Sequence, residues 1–251
     1  MNPGPEPSEQ DVATASPSAE PQTDATATSG DAKSGPSWLL LIGIALVVMV
    51  LVRGFLVQSF YVPSGSMERT IEPGDRILVN KLIGAESIER GDVVVFDGST
   101  SWAVNDRSPH QDDGFIGKTL GSLAKALGID VGEQDFVKRV IGLPGDRVLC
   151  CDSSGRLTVN GVAVDEPYIF PGDKPSESTF DITVPANRLW VMGDHRSDSA
   201  DSRAHLGSPG GGTVRVDDVI GRAAVTYWPL SRAGGFDHPA QLAGIPRAST
   251  P

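Results

Sequence analysis

The chain has 251 residues and a formal net charge of -11, which is enough length for one domain of ordinary size with appendages. The acidic excess argues against nucleic acid as a partner, because binding to phosphates requires clustered Lys and Arg. The only cysteines are Cys150 and Cys151, without a third Cys or a neighbouring His to complete a zinc site, so we predict no metal and no cofactor.

The first 35 residues are rich in Pro, Ser, Ala, Thr and Glu, and no aromatic residue precedes Trp38. Such a segment buries too little apolar surface to offset the entropy lost on ordering. We therefore predict a disordered acidic tail over 1–35, which serves as a solvated spacer rather than as a regulatory element.

An apolar run follows over 37–57, with Arg53 as its single charge near one end. As a helix rising about 1.5 Å per residue, it would reach about 30 Å, the thickness of the hydrocarbon core of a bilayer. Trp38 and Tyr61 flank the run as candidate interface anchors. We predict one transmembrane helix over 36–58 that is retained as an anchor.

Two other interpretations of this apolar run fit less well. A cleaved secretory signal usually has a basic start, a shorter apolar stretch and a small-x-small cleavage site, and a buried core helix is rarely apolar on every side. The orientation stays open, because only Lys33 precedes the run to set against Arg53 in the positive-inside rule.

From 59 to 232 the sequence changes to short β-prone runs separated by Gly, Pro and Asp. No helical segments alternate with these runs, so we predict a mostly β domain built from antiparallel sheet. Asn160-Gly161 is the sharpest hairpin signal, because it lies between two apolar runs rich in Val. Residues 233–251 are predicted to form a loose C-terminal tail.

A polar segment near 98–134 interrupts the β pattern and is predicted to be an insertion. Within it, Ile116, Leu120, Leu123 and Leu127 recur at helical spacing, which predicts one amphipathic helix. That helix either docks on the β domain, which is the favoured interpretation, or lies on the membrane surface.

The adjacent residues Cys150 and Cys151 leave two redox states open. They could close a vicinal disulfide in an oxidising compartment, but two free thiols are favoured. We assign the pair no function.

Three polar segments carry the candidate chemistry. The run Pro-Ser-Gly-Ser-Met over 63–67 would usually be only a turn, and the run Gly-Asp-His-Arg-Ser-Asp-Ser-Ala-Asp-Ser-Arg over 193–203 only a solvated loop. The third contains Lys138 among apolar, strand-like residues, where a lysine commonly guards an edge strand. If Lys138 is buried instead, desolvation lowers its pKa from about 10.4, and its neutral amine can activate a hydroxyl such as that of Ser66.

Together these segments resemble the signatures of the type I signal peptidases, in the same order along the chain. The resemblance extends over roughly 53–232 and includes Lys-Arg-Val-Ile-Gly-Leu-Pro-Gly-Asp over 138–146. It implies a membrane-anchored serine endopeptidase that removes signal peptides from exported preproteins through an acyl-enzyme. The implied partners are those preproteins and membrane lipid, and the catalytic domain is implied to lie on the extracytoplasmic side of the cell membrane.

The resemblance also implies a role for individual residues. Ser66 would be the nucleophile, Lys138 the general base and Ser199 the group that orients the lysine amine. The Ser64 hydroxyl and the Ser66 backbone N–H would donate to the oxyanion. A supporting network of ion pairs and hydrogen bonds is implied for Asp194, Arg196, Asp201 and Arg203. Shallow pockets for small substrate side chains, one and three residues before the cleaved bond, are implied for Phe60, Val62, Met67, Ile71, Phe136 and Val137.

Two positions depart from the family pattern: His195 stands where Asn is common, and Arg69 where Pro is common. A relative of the family uses histidine as the base, so His195 is a rival, but the presence of Lys138 favours lysine. Two other functions fit the residues less well. A non-enzymatic anchored β module would need a broken dyad, and an intracellular self-cleaving repressor-like protease conflicts with the apolar run.

Overall fold

The computed structural model describes residues 38–102 and 135–248 of the chain. The predicted tail over 1–35 and the predicted amphipathic helix of the insertion lie outside these residues. By its internal contacts the chain divides into two units, Met1–Leu41 and Ile42–Pro251, and only 38–41 of the first unit are described.

The helix α1 spans Trp38–Phe55. Several of its apolar side chains are exposed, among them Leu40 at 57% and Val47 at 58%. Within the two described ranges, no helix is long and apolar enough to cross a membrane. The membrane span predicted over 36–58 is not confirmed.

The rest of the described chain is mostly β, and all its strand pairs are antiparallel, which confirms the mostly β, antiparallel part of the predicted fold class. The larger sheet contains β1 (Val57–Tyr61), β2 (Arg76–Asn80), β3 (Val93–Asp97), β4 (Asp135–Gly142), β9 (Arg188–Met192), β10 (Val214–Arg215), β11 (Val219–Trp228) and β12 (Gly234–Gly235). The smaller sheet contains β5 (Arg147–Cys150), β6 (Leu157–Val159), β7 (Val162–Val164) and β8 (Phe180–Thr183). Their orders are β1-β2-β11-β3-β4-β9-β10, with β12 beside β11, and β7-β6-β5-β8.

Short helical turns connect some of these strands. The 3-10 turns are Ala85–Ser87, Arg196–Asp198, Val216–Asp218 and Leu230–Arg232, and a single α-helical turn, α2, spans Ala240–Ala243. The turn at Arg196–Asp198 lies within the polar segment over 193–203 and therefore shapes the candidate site.

The strand β3 is buried on both faces of the larger sheet. Side chains alternate across a strand, so Val93 and Val95 pack in one apolar cluster whereas Val94 and Phe96 pack in another. A continuous apolar run is the pattern expected of a strand covered on both sides. The neighbouring strand β4 is paired with β3 and β9 on its two edges, and so lies in the interior of the sheet.

The turn at Asn160-Gly161 joins β6 to β7, and the predicted hairpin is confirmed. Both residues have a positive φ, 52° at Asn160 and 78° at Gly161. A type I′ turn requires this conformation at both central positions, and Asn and Gly adopt it most readily.

Residues 233–248 differ from the predicted loose tail. Leu242 and Ile245 are 0% and 4% exposed and pack in the core beneath the smaller sheet. The buried Arg90 guanidinium donates to the carbonyl oxygens of Ile245 and Pro246, at 2.6 and 3.2 Å. Leu242 and Ile245 are apolar residues among small and polar ones. Two apolar positions are too few to show a periodic pattern, so this packing could not be predicted from the sequence.

The cysteine pair is closed by a disulfide between Cys150 and Cys151, so the free thiols favoured from the sequence are not what the structure contains. Cys150 ends β5 and is 3% exposed. Adjacency alone could not decide between the two states, because the oxidation of cysteines depends on the redox compartment.

Candidate active site

The serine-bearing turn, residues 63–71, begins just after β1. The Val62 N–H donates to the Asp75 carbonyl oxygen at 2.9 Å, which closes the base of this segment. Met67 and Ile71 are 1% and 0% exposed and pack in the apolar cluster on that face of the sheet. Burial of these two side chains fixes the turn. Ser66, only 8% exposed, is thereby held against the sheet.

Lys138 lies in the middle of β4, opposite Val94 of β3. Because β4 is an interior strand, Lys138 does not guard a sheet edge as the alternative interpretation supposed. Its side chain is 3% exposed, and its Nζ lies 2.6 Å from the Ser66 Oγ and donates to the Val137 carbonyl oxygen at 2.9 Å. The fold therefore brings together two polar groups that are 72 residues apart in the chain.

Burial lowers the pKa of the Lys138 ammonium to about 8, because an ammonium loses its hydration in the interior. The carboxylates of Asp201, Asp194 and Asp198 act in the opposite direction, and Arg203 acts with the burial. With a pKa near 8, about one amine in ten is neutral at pH 7. Lys138 can therefore accept a proton at a pH where an exposed lysine cannot.

Ser64 and Ser199 both lie beside this pair. The Ser64 Oγ is 3.4 Å from the Ser66 Oγ. Ser199 stands over Gly193 so closely that a Cβ at Gly193 would overlap both the Ser199 hydroxyl and the Ser66 carbonyl oxygen. Within residues 38–102 and 135–248, the Ser199 hydroxyl makes no hydrogen bond of ordinary geometry, to Lys138 or to any other group. Ser199 and Lys138 line the same cavity, but no hydrogen bond joins the Ser199 hydroxyl to the lysine amine.

The supporting ion pairs involve more residues than the sequence predicts. Asp201 pairs with Arg203 at 2.7 Å and accepts the Gly193 N–H at 2.9 Å. Burial would raise the pKa of Asp201, but the hydrogen bond and charge of Arg203 hold that pKa below its ordinary value. Asp201 therefore stays ionised and fixes the backbone at Gly193.

Asp194 and Arg196, both predicted members of the network, do not pair with each other. Asp194 accepts from Arg139 at 2.6 and 2.8 Å, and Arg196 donates to Glu166 at 2.5 Å. The sequence analysis missed Arg139, although it follows Lys138 directly. Side chains alternate along β4, so Lys138 lies on one face of the sheet and Arg139 on the other. This alternation is the sequence signal from which the position of Arg139 could have been predicted.

An apolar cavity of about 260 Å³ opens beside Ser66 and Lys138. Five of the six predicted pocket residues line this cavity: Phe60, Val62, Met67, Phe136 and Val137. Val95 also lines it and was not predicted from the sequence. The sixth, Ile71, does not line this cavity and is fully buried behind it. Its role is to support the turn from the core.

A second cavity, of about 570 Å³, shares Ser64, Ser66, Phe136 and Lys138 with the first. Its remaining walls come from the loop after Gly193 and are more polar: Ser197, Asp198, Ser199, Ala200 and Ala204. The serine and the lysine thus stand between two recesses, of which the second is less apolar than the first. An extended peptide could occupy both recesses with one amide bond over Ser66.

The two departures from the family pattern leave the pair intact. The His195 ring stacks on Phe170 with centroids 4.0 Å apart, and its Nδ1 is 3.3 Å from the Glu68 carboxylate. The group in contact with the Ser66 hydroxyl is the Lys138 amine. Arg69 has a φ of 82° and donates to the Ile169 carbonyl oxygen at 3.1 Å. In the described ranges no group of three His, Cys, Asp or Glu side chains could hold a metal ion.

Comparisons with known proteins find relatives over most of the chain. Residues 36–228 match the family model described as signal peptidase, peptidase S26. A probable signal peptidase I of Mycobacterium leprae is 38% identical over 224 residues, which cover 78% of this chain and 76% of the relative. Signal peptidase I of Mycobacterium tuberculosis is 38% identical over 78% of this chain and 73% of its own length. Signal peptidase I of Leptolyngbya laminosa is 32% identical over 79% of this chain and 82% of its own.

Proposed function

This chain belongs to the signal peptidase family, peptidase S26, and on that premise we propose that it removes signal peptides from exported preproteins. The reaction is hydrolysis of one amide bond through an acyl-enzyme. The observation that carries the proposal is the 2.6 Å contact between the Ser66 Oγ and the amine of the buried Lys138.

In the proposed first step, the neutral Lys138 amine takes the proton of the Ser66 hydroxyl as Oγ attacks the scissile carbonyl carbon. The carbonyl oxygen becomes an oxyanion, which accepts from the Ser66 N–H and the Ser64 hydroxyl. The lysine ammonium then donates its proton to the departing amine, the C–N bond breaks, and an ester to Ser66 remains. Ser199 lies on the wall of the same cavity as Lys138, and it would orient the amine only by turning its hydroxyl toward Nζ, a hydrogen bond that the described structure does not contain.

In the second step, water replaces the amine product. Lys138, neutral again, takes a proton from that water, which attacks the ester carbonyl and forms a second oxyanion in the same place. Collapse of this intermediate returns the proton to the Ser66 Oγ and releases the new carboxylic acid, which then loses its proton to water. No metal or cofactor is needed for either step, since the lysine carries the proton in both directions.

The apolar cavity accounts for the proposed preference for small side chains. A volume of about 260 Å³, shared between two substrate positions, accommodates small residues before the cleaved bond. Larger side chains would collide with walls such as Val95 and Met67, which are 0% and 1% exposed and have no room to withdraw.

The substrate itself provides the direct test. Purified full-length protein in detergent should cleave a preprotein after its small residue, and a preprotein with Trp at that residue should stay intact. A preprotein with Trp well inside the mature part is the control, and the Ser66→Ala protein prepared in parallel reveals any contaminating peptidase. Equal cleavage of both Trp preproteins, or no cleavage of the natural one, would contradict the proposal.

The pH dependence of this cleavage follows from the Lys138 amine. Because the reactive form is neutral and the pKa is held at about 8, kcat/KM should fall about tenfold for each pH unit below 8 and level off above it. The Asp198 carboxylate raises that pKa, so Asp198→Asn should move the acid limb to lower pH. Asp165→Asn, at a carboxylate 76% exposed, should leave the limb in place. A flat profile between pH 6 and about 8 would rule out a lysine base.

We also propose that the N-terminal segment holds the enzyme at the extracytoplasmic face of a cell membrane. The support is the apolar sequence over 37–57 and the exposed apolar side chains of α1, which meet water at a cost unless lipid or protein covers them. Attachment would raise the effective concentration of the site near membrane-held preproteins.

After an alkaline carbonate wash, the full chain should stay with the membranes and the chain lacking 1–58 should be released. Release of both would contradict the anchor.

A further inference from the structure

Glu68 and His195 form a contact that the proposed chemistry does not use. Glu68 lies in the serine-bearing turn, and His195 in the loop that carries Ser199. The His195 Nδ1 is 3.3 Å from a Glu68 carboxylate oxygen, and the two side chains are 16% and 27% exposed. The pair is thus partly shielded from water, which strengthens a polar contact relative to one on the open surface.

Both residues are bonded through their backbones to the segment that holds the nucleophile. The His195 N–H donates to the Ser66 carbonyl oxygen at 3.1 Å, and the Glu68 N–H donates to the Gly65 carbonyl oxygen at 2.9 Å. The Glu68 carboxylate also covers Gly65, where a Cβ would come within 2.6 Å of its Oε1. A shift of either side chain is therefore transmitted to the two residues on either side of the Gly65–Ser66 peptide bond.

The ring of His195 has little freedom to move away from Glu68. It is stacked on Phe170 with an interplanar angle of 16°, and the Phe170 N–H donates to the Asp194 carbonyl oxygen at 2.8 Å. The His195 Nδ1 is buried, and among the described residues it has no hydrogen bond of ordinary geometry. The Glu68 carboxylate, 3.3 Å away, can accept from Nδ1 whether the ring is charged or carries its proton on Nδ1 alone.

We propose that Glu68 and His195 are a pair of positioning residues that join the serine-bearing turn to the loop over 193–199. The pair holds the Ser66 Oγ against the Lys138 amine and keeps the Ser66 N–H aimed at the oxyanion. This inference rests on the proposed function. In this inference His195 positions the nucleophile and does not act as a base. Glu68 has the same positioning role, which its place in the sequence does not suggest.

The test compares kcat and KM for preprotein cleavage by the full-length protein. Glu68→Ala and His195→Ala should each lower kcat about tenfold and leave KM within about twofold, because a loosened nucleophile affects the chemical step rather than binding. The double variant should be no slower than the slower single variant, since both changes break one contact. Lys174→Ala and Glu177→Ala, at an exposed ion pair with side chains 71% and 74% exposed, are matched controls and should keep wild-type kcat.

Conservative replacements separate positioning from a merely structural role. Glu68→Gln retains an acceptor, and His195→Asn places an amide nitrogen near the position of Nδ1, so both should recover most of the lost kcat. Should Glu68→Ala fail to fold, Glu68→Met keeps the length of the side chain without the acceptor and should show the same loss.

Three outcomes would overturn the inference. Independent losses that multiply in the double variant would show that the residues do not act as a pair. Losses confined to KM would show that they bind substrate instead. Full kcat in both alanine variants, with an active wild type, would remove the pair and leave the proposed function standing, whereas an inactive wild type would overturn the proposed function and the pair together.

Discussion

Lys138→Met should lower kcat/KM for preprotein cleavage by at least about 10³-fold, because methionine fills the same buried space and cannot carry a proton. Ser66→Ala should lose as much, since Ser66 carries the one hydroxyl to which Lys138 Nζ is hydrogen-bonded in the described part of the chain. When the two residues work as one unit, either loss alone removes most of the catalysis. The Lys138→Met, Ser66→Ala double variant should therefore be no slower than either single variant.

The measurement is the initial rate of preprotein cleavage in detergent, at a pH above 8. Lys174→Met and Ser178→Ala change exposed residues of the same types and should keep the wild-type rate. Far-ultraviolet circular dichroism should show the same β signal in all variants, because Lys138→Met leaves an apolar side chain in an apolar strand. A Lys138→Met protein that retains even a tenth of the wild-type rate would exclude lysine as the base.

Asp194→Ala should lower the free energy of unfolding by about 3–5 kcal/mol, because it leaves the buried Arg139 guanidinium without its counter-ion. Arg139 and Asp194 are 2% and 0% exposed and share two short hydrogen bonds. Arg139→Ala should be destabilising for the same reason, since Asp194 then lacks its partner. The double replacement by apolar residues of similar volume should be milder than either single change, as no lone charge remains buried.

The unfolding midpoint of the full-length protein in detergent reports this loss. Asp181→Ala removes the carboxylate of the exposed pair between Arg147 and Asp181, and it should leave the midpoint unchanged because water solvates the remaining charge. Equal midpoints for Asp194→Ala and Asp181→Ala would show that the buried pair contributes nothing to the stability of the fold.

The sequence analysis found the parts of the site whose signal is local. Ser66 and Lys138 lie in short runs of recognisable composition, and the Asn160-Gly161 turn requires only the conformational preferences of two residues. The fold class also followed from local spacing. These features depend on neighbours within a few positions, which is the range that a sequence pattern can report.

The parts that the sequence analysis missed depend on contacts between distant segments. The ion pair of Arg139 with Asp194 follows from the pairing of β4 with β9, which the sequence does not reveal. The burial of Leu242 likewise depends on the core cluster against which it packs. The family resemblance implies a pocket role for Ile71, yet its side chain packs in the core. The state of Cys150 depends on the compartment as well as on the fold.

Asp97 pairs with Asp135 where β3 and β4 meet the connection between them. The position of Lys138 therefore depends on how the two strands pair and not on the length of that connection. These two residues face each other at the end of the ladder, and Lys138 faces Val94 three positions further along it. The direction of the lysine side chain is therefore decided by strand register, in which a slip by one residue would exchange Lys138 and Arg139 between the two faces of the sheet. A change in the length of the connection would leave this register, and with it the direction of the Lys138 side chain, unchanged.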